Sequence, residues 1–423
     1  MRRELHYDVV VIGAGVAGLT SAARLAEGGA RVCVLAKGVG STHLAPGTVD
    51  VLGYDPDRVA EPGRALPSFV EAHPGHPYAL LGTEAIASAL EWFRARVADG
   101  PQDGYGYVGG LERNRLLPTA VGAARPSALV PETMAAGELD AGGEVCVVGF
   151  RALRDFHASY LAANVGGRAL EAEVDVGRVE ANALGIARRF EEKEFRSAFV
   201  DRVGPRLREG ERLAMPAVLG LRDPHGVWAE LEQRLGRPIF EVPTLPPSVP
   251  GMRVFDLLRA ALRRAGGRLV MGAEVTGAEA EGERITGVRA HTSGGDTVYR
   301  ARRVVLATGG FASGGLQLDA DWVARETVLG LALRDAPAPS EERFKPEYFG
   351  EQPMARAGVA VDARLRPPGV RGVLVVGAAL AGAEPWREGS GEGIALSSGH
   401  RAAELLLAEA GAGKAPAPSE ATA

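Results

Sequence analysis

With 423 residues, 46% of them hydrophobic and a mean hydropathy of −0.01, the chain is long enough for two or three domains with buried cores, which excludes global disorder. A formal charge of −5, with all basic residues but Lys37, Lys193, Lys345 and Lys414 being arginine, supplies no clustered basic face and excludes nucleic acid as an expected partner. Cys33 and Cys146 both lie inside apolar runs, so no disulfide framework and no metal spacing is expected.

The first element expected is a βαβ unit. Residues 8–12 (DVVVI) form a short unbroken apolar run ending in glycine, 17–27 a helix-forming stretch and 31–35 (RVCVL) a second apolar run. An unbroken run suits a parallel strand buried on both faces. From about residue 55 to 250 the chain carries many prolines and separated apolar helices, such as 83–97 and 150–165, and reads as an inserted second domain. Residues 243–251 (PTLPPSVPG) are expected to be non-helical, because each proline removes a donor and restrains its predecessor. Beyond them Val254, Leu257, Leu258, Ala261, Leu262 and Ala265 follow helical spacing, with Arg253, Arg259, Arg263 and Arg264 on the other positions. Strands are predicted at 268–271, 285–291, 297–299 and 304–307, and a disordered tail at 411–423. The fold expected is α/β, a Rossmann-like three-layer FAD/NAD(P)-binding domain with a second, inserted α+β domain. Its discontinuous flavin-binding part takes 1–60, 251–312 and 356–410, and the inserted cap or substrate part takes 61–250 and 313–355.

Three glycine motifs carry the chemistry. Gly13, Gly15 and Gly18 form G-x-G-x-x-G directly after a strand and at the start of a helix. Gly13 allows the tight turn, Gly15 lets the backbone approach a phosphate, Gly18 lets helix and strand pack, and the N–H groups at Val16 and Ala17 face the anion. The place about twenty residues on, where an acid normally holds the adenosine ribose, reads Leu35, Ala36, Lys37. Either a dinucleotide binds with other ribose contacts or the cofactor is a mononucleotide flavin. Ala307, Thr308 and Gly309 (in ATGG) resemble the second fingerprint of glutathione-reductase-type flavoproteins. Gly377 then closes a run, 372–377 (GVLVVG), after which that superfamily places Gly-Asp, the carboxylate holding the flavin ribityl chain; Ala378 takes the Asp place here. Gly389 to Gly393 (GSGEG) opens a last helix running to about Leu407, and Gly391, Gly393 and Ile394 at its amino end are expected to stabilise negative charge on a flavin.

Three stretches carry a closer resemblance: 41–52 (STHLAPGTVDVL), 240–253 (FEVPTLPPSVPGMR) and 348–362 (YFGEQPMARAGVAVD), continuing into GVLVVGAALAGAEPWREGSG. They resemble the B-subunit family of the anaerobic glycerol-3-phosphate dehydrogenases, and both missing acids fit that family. The similarity runs from Tyr7 to about Ala408 and is weakest between Pro101 and Arg237. The resemblance implies FMN as cofactor, with FAD as the alternative suggested by the intact glycine fingerprint. It implies oxidation of sn-glycerol 3-phosphate to dihydroxyacetone phosphate, with electrons passing to quinone. The partners implied are a catalytic subunit and an iron-sulfur membrane-anchoring subunit. With no signal peptide and no run of ~20 apolar residues, the expected location is cytoplasmic, peripheral to the inner membrane through a partner.

In related flavoproteins the loop after the second strand wraps the isoalloxazine, which assigns Ser41, Thr42, His43, Gly47 and Thr48 to the cofactor together with Lys37. Oxidation of an alcohol needs a base, and His43 is the best candidate, set against the reading that it only packs. Arg387, before GSGEG, is the second catalytic candidate. His400 reads as a packing residue, Arg325, Arg343 and Lys345 as weaker phosphate candidates, and Asp50 as ordering its loop. Two alternatives stand beside this reading. One is an electron-transferring or structural flavoprotein subunit without its own substrate site; the other is an independent FAD-dependent oxidoreductase of the fumarate-reductase or ketosteroid-dehydrogenase type.

Overall fold

The computed structural model describes residues 3–99, 105–177, 180–338, 340–347 and 350–412. Strand β1 (Arg3–Ile12), helix α1 (Val16–Glu27) and strand β2 (Val32–Ala36) form the expected βαβ unit, β1 and β2 pairing in parallel from Val9↔Val32 to Ile12↔Leu35. Helices α2 (Pro62–Ala72) and α3 (Thr83–Ala98) follow, joined through a short helical segment at Pro77–Leu81, and then a hairpin of β3 (Arg115–Pro118) and β4 (Ala124–Ser127). The second lobe holds β5 (Val145–Gly149), α4 (Ala158–Val165), β6 (Arg168–Glu171), α5 (Ala183–Phe190), α6 (Lys193–Val203), β7 (Arg212–Pro216), α7 (Pro224–Leu235) and β8 (Ile239–Val242). The chain returns through α8 (Val249–Arg264) to β9 (Arg268–Met271), β10 (Glu274–Glu281), β11 (Arg284–Thr292) and β12 (Gly295–Leu306). It ends with β13 (Val373–Val375) and α9 (Gly391–Ala412).

The main sheet has the order β9-β2-β1-β12-β11-β10, with β13 beside the carboxyl half of β12. Its first four strands are parallel, and β10 and β11 run antiparallel at the edge. The central strands are enclosed on both faces, which is why Val9 to Ile12, Val32 to Leu35 and Val304 to Leu306 read as unbroken apolar runs. Helices α1, α8, α9 and α3 pack against one another along this sheet. The second lobe has its own core around Phe150, Phe190, Phe199 and Met215, and its sheet, β6-β5-β7-β8, is parallel throughout. The sequence suggests an α+β unit there, but each strand returns through a helix, so pairing is parallel.

Several expectations change in the structure. Residues 249–251 are helical: Ser248 caps α8, its Oγ accepting from Gly251 N–H at 3.1 Å, and Pro250 sits in the first turn, where no N–H is needed. Residues 150–157 are turns, and the helix begins only at Ala158. Phe150, Leu153 and Phe156 mimic helical spacing because all three plug the second core. The two strands predicted at 297–299 and 304–307 are one strand, β12. Helices α2 and α3, assigned by sequence to the inserted part, bury Leu66, Phe69, Ile86, Leu90 and Phe93 in the first core, and Leu331 joins them there. Of the tail 411–423, residues 411 and 412 end α9 and 413–423 lie outside the described residues, as do Tyr348 and Phe349 of the third family-like stretch.

Candidate functional site

The corner where β1 meets α1 is built from glycines of two physical kinds. Gly13 has φ +112°, and a Cβ there would stand 2.2 Å from the Ala307 carbonyl oxygen; one on Gly18 would stand 2.1 Å from the Gly13 carbonyl oxygen. Neither position tolerates a side chain, because fixed backbone fills the space. Gly15 differs: its φ is −73°, and among the described residues beyond its chain neighbours an added Cβ comes within 4 Å of Thr42 Oγ1 alone, at 3.9 Å. Helix α1 begins there with no side-chain cap and no acid in its first turn. The N–H groups of Val16, Ala17 and Gly18 therefore have no intrahelical acceptor and present partial positive charge to that space. This donor set fits the phosphate of a flavin nucleotide.

The 3₁₀ turn Gly40–Leu44 leans over this corner, with a Cβ on Gly40 falling 3.7 Å from Gly15 Cα. The amino end of α8 clamps the loop. Ser248 N–H donates to the His43 carbonyl at 2.9 Å, and Ser248 Oγ donates to the Ala45 carbonyl at 2.6 Å. A Cβ on Gly251 would meet the Thr42 carbonyl oxygen at 2.1 Å, and one on Gly47 would meet Pro250 at 2.5 Å. From the other side, Ala307 N–H donates to the Ile12 carbonyl at 2.8 Å, and Thr308 Oγ1 is enclosed with no hydrogen-bond partner among the described residues. A Cβ on Gly310, next to Gly309, would lie 2.9 Å from the Ala378 carbonyl oxygen. Gly377, at φ +72°, lies against Ala17, and its N–H donates to Ser398 Oγ of α9 at 2.9 Å. At the start of α9, Gly391 leads to Gly393, whose N–H donates to the Asp50 carbonyl at 2.9 Å, and to buried Ile394. The glycine segments and the 41–50 loop thus converge on one region.

Other expected residues are committed elsewhere. Lys37 Nζ pairs with Glu274 Oε1 at 2.8 Å, bringing an acid from β10 to the end of β2. Ser41 is exposed. The His43 ring meets Phe255 edge-on at 5.2 Å, its Nε2 is enclosed without a hydrogen-bond partner among the described residues, and burial lowers its pKa against the opposing pull of Asp256. That geometry suits a packed ring better than an open base. Arg387 is tied to acids, with Nη1 3.4 Å from Glu384 and 3.7 Å from Glu351. His400 packs by Trp92 beneath α3, Arg325 pairs with Asp319 at 2.9 Å, Arg343 lies over the Trp322 ring at 5.6 Å, and the Lys345 N–H donates to Gln352 Oε1 at 2.8 Å.

Sequence reading missed a polar cluster beside the same loop. Asp50 accepts from Thr48 Oγ1 at 2.9 Å, Ser127 Oγ at 2.6 Å, Arg125 Nε at 2.7 Å and Arg125 Nη2. Glu392, in the first turn of α9, is pushed up to about 7 by its withdrawal from water and then by Asp50, with Arg125 opposing. Only the hydroxyl-to-acid spacing of Thr48 and Asp50 hinted at this; Arg125 is one arginine among many. Among the described residues no helix is long and apolar enough to cross a membrane.

Residues 8–394 match the family described as FAD binding domain. The chain is 32% identical over 425 residues to the anaerobic glycerol-3-phosphate dehydrogenase B-subunit of Pectobacterium atrosepticum, covering 96% of this chain and 99% of that one. It is 33% identical over 438 residues to the probable anaerobic glycerol-3-phosphate dehydrogenase B-subunit of Halobacterium salinarum, with the same coverage of 96% and 99%. Among solved structures it aligns with the open conformation of a flavocytochrome c3 fumarate reductase, at 12% identity and a TM-score of 0.45 over 96% of this chain and 79% of that one.

Proposed function

Because the chain belongs to the FAD binding domain family and to the B-subunit family of the anaerobic glycerol-3-phosphate dehydrogenases, we propose that it is a flavin-dependent subunit oxidising sn-glycerol 3-phosphate to dihydroxyacetone phosphate in a quinone-linked respiratory dehydrogenase. The observation that carries the reading is the uncapped amino end of α1 in front of Gly15, the one fingerprint glycine with room before it. A bound flavin supplies a two-electron acceptor for the hydride leaving the substrate carbinol. Val16, Ala17 and Gly18 hold its phosphate through backbone N–H groups, with Gly13 and Gly15 shaping the turn. Ser41, Thr42, His43, Gly47 and Thr48 of the clamped loop, with Ala307, Thr308, Gly309, Gly377 and Ala378, would hold the rest of the flavin. Gly391, Gly393 and Ile394 present the amino end of α9, which stabilises negative charge.

The flavin is FMN in this proposal, since β2 ends in Leu35 and Ala36, followed by Lys37, with no acid of its own. FAD is a second reading, favoured by Glu274, which Lys37 holds at that same strand end. The mass of the flavin released on denaturation decides between them. The partners proposed are a catalytic subunit and an iron-sulfur anchoring subunit, with this chain at the cytoplasmic face of the inner membrane. The enclosed Nε2 of His43 and the acid-bound Arg387 favour a second functional reading, an electron-transferring subunit whose partner holds the substrate. Anaerobic addition of sn-glycerol 3-phosphate to the purified chain separates the two. Bleaching of the flavin band is expected; bleaching only after a partner is added supports the electron-transferring role, and a chain that purifies without any flavin overturns both.

A further inference from the structure

Asp50 is 1% exposed and commits its carboxylate to Thr48, Ser127 and two nitrogens of Arg125. The arginine it holds is not buried: the Arg125 side chain is 40% exposed, and its Nη1 makes no hydrogen bond among the described residues. A planar guanidinium pinned along one edge and open along the other is pre-organised for an oxyanion, because its orientation is fixed before the ligand arrives.

Its place in the fold agrees. Arg125 stands on β4, whose hairpin tip is bound to the second lobe by Asn164 Nδ2 donating to the Val121 carbonyl at 2.8 Å. Strand β4 itself rests on the first lobe, where Tyr54 OH donates to the Ala124 carbonyl at 3.4 Å and Pro126 lies against Gly53. Seams between lobes are where small-molecule sites concentrate. The loop that carries Asp50 begins at the phosphate corner of α1, and the Gly393 N–H ties the start of α9 to the Asp50 carbonyl at 2.9 Å.

We propose that Arg125 binds the phosphate monoester of the substrate, with Asp50 as its positioning residue. The assignment rests on the reading that this chain itself takes a phosphorylated substrate. The charged and titratable groups facing Arg125 are Asp50 from the loop, Tyr54 beside it and Glu392 from α9; Tyr78 also feels Glu392 and Asp50. Asp50 and Arg125 cancel, so the state of Glu392, pushed up to about 7, sets the net charge of the trio. A doubly charged anion should bind better below that pH than above it.

Sulfate is the probe, since it stays a dianion throughout this range. Isothermal titration of the flavin-loaded protein at pH 6 and pH 8 should show tighter sulfate binding at pH 6, and Glu392→Gln should abolish the difference. Arg125→Gln should weaken sulfate binding, and raise the KM for sn-glycerol 3-phosphate, by roughly tenfold or more, the loss of a charge-assisted contact. Arg125→Lys, which keeps a charge on Asp50, should recover part of the loss and controls for folding. Arg125→Gln protein with normal flavin content and unchanged sulfate affinity would overturn the assignment, as would Arg125→Lys binding no better than Arg125→Gln. Sulfate binding through Arg125 without flavin reduction by sn-glycerol 3-phosphate upholds the anion site and refutes the functional reading; reduction with an Arg125-independent KM does the reverse.

Discussion

Replacing Gly15 and Gly13 separately by alanine separates ligand space from backbone necessity at the same turn. Gly15 has an extended backbone, φ −73° and ψ −178°, open to any residue, and an added methyl meets nothing nearer than 3.9 Å. The stability cost of Gly15→Ala is that of a poorer N-cap, about 1 kcal/mol or less. In a chain of this size that shifts Tm by only about 1 °C or less. The methyl does occupy the position where the α1 donors face a phosphate, so flavin content should fall by roughly tenfold or more, equivalent to at least ~1.4 kcal/mol of binding. Gly13→Ala reverses the pattern. Its φ of +112° costs a side chain about 1–3 kcal/mol, and the 2.2 Å approach to Ala307 forces the β1–β12 junction apart on top of that. Against a total stability of about 5–15 kcal/mol, Gly13→Ala protein should be largely insoluble or melt far below wild type. Thermal denaturation together with released flavin per mole of protein measures both. Full flavin content in Gly15→Ala, or a native Tm in Gly13→Ala, refutes the division of roles among these glycines.

Three further outcomes are expected. Arg253 is fully buried and paired with Glu241 at 2.5 and 2.9 Å, joining α8 to the second lobe. Arg253→Met should cost about 3–5 kcal/mol in denaturant unfolding by leaving the Glu241 charge without its counter-ion, and adding Glu241→Gln, which removes the charge but keeps an acceptor for Leu219 N–H, should restore part of it; a double variant weaker than the single contradicts the argument. Glu392 has a raised pKa when folded, so the stability its neutral form contributes is present below about 4.5 and is lost as pH rises through about 7. Glu392→Gln should therefore gain on wild type between pH 5 and pH 8, by up to about 3 kcal/mol, and parallel pH profiles would disprove it. Lys37 and Glu274 are mostly exposed, so Lys37→Ala should leave thermal stability nearly unchanged. Its effect on cofactor retention should be nil if the flavin is FMN; a marked loss supports FAD.

The βαβ opening, the glycine-built corner and the return of the chain to its first sheet are all legible in the order of residues. Each is signalled by a short local pattern, in unbroken apolar runs such as Val9 to Ile12 and in the spacing of Gly13, Gly15 and Gly18, although the atoms that exclude a side chain at Gly13 belong to Ala307, far along the chain. Arg253 shows the limit, because its helical spacing puts it among the polar positions, while in the fold it is sealed against Glu241 with no exposure. Helices α2 and α3 show it again: an amphipathic pattern says that one face is buried but not which lobe buries it. That Asp50, Arg125 and Glu392 meet, and that Glu274 comes to the end of β2, emerges only in three dimensions. Those groups are contributed by segments far apart in the chain, and only packing of the hairpin, the loop and the last helix against one another brings their charges within range.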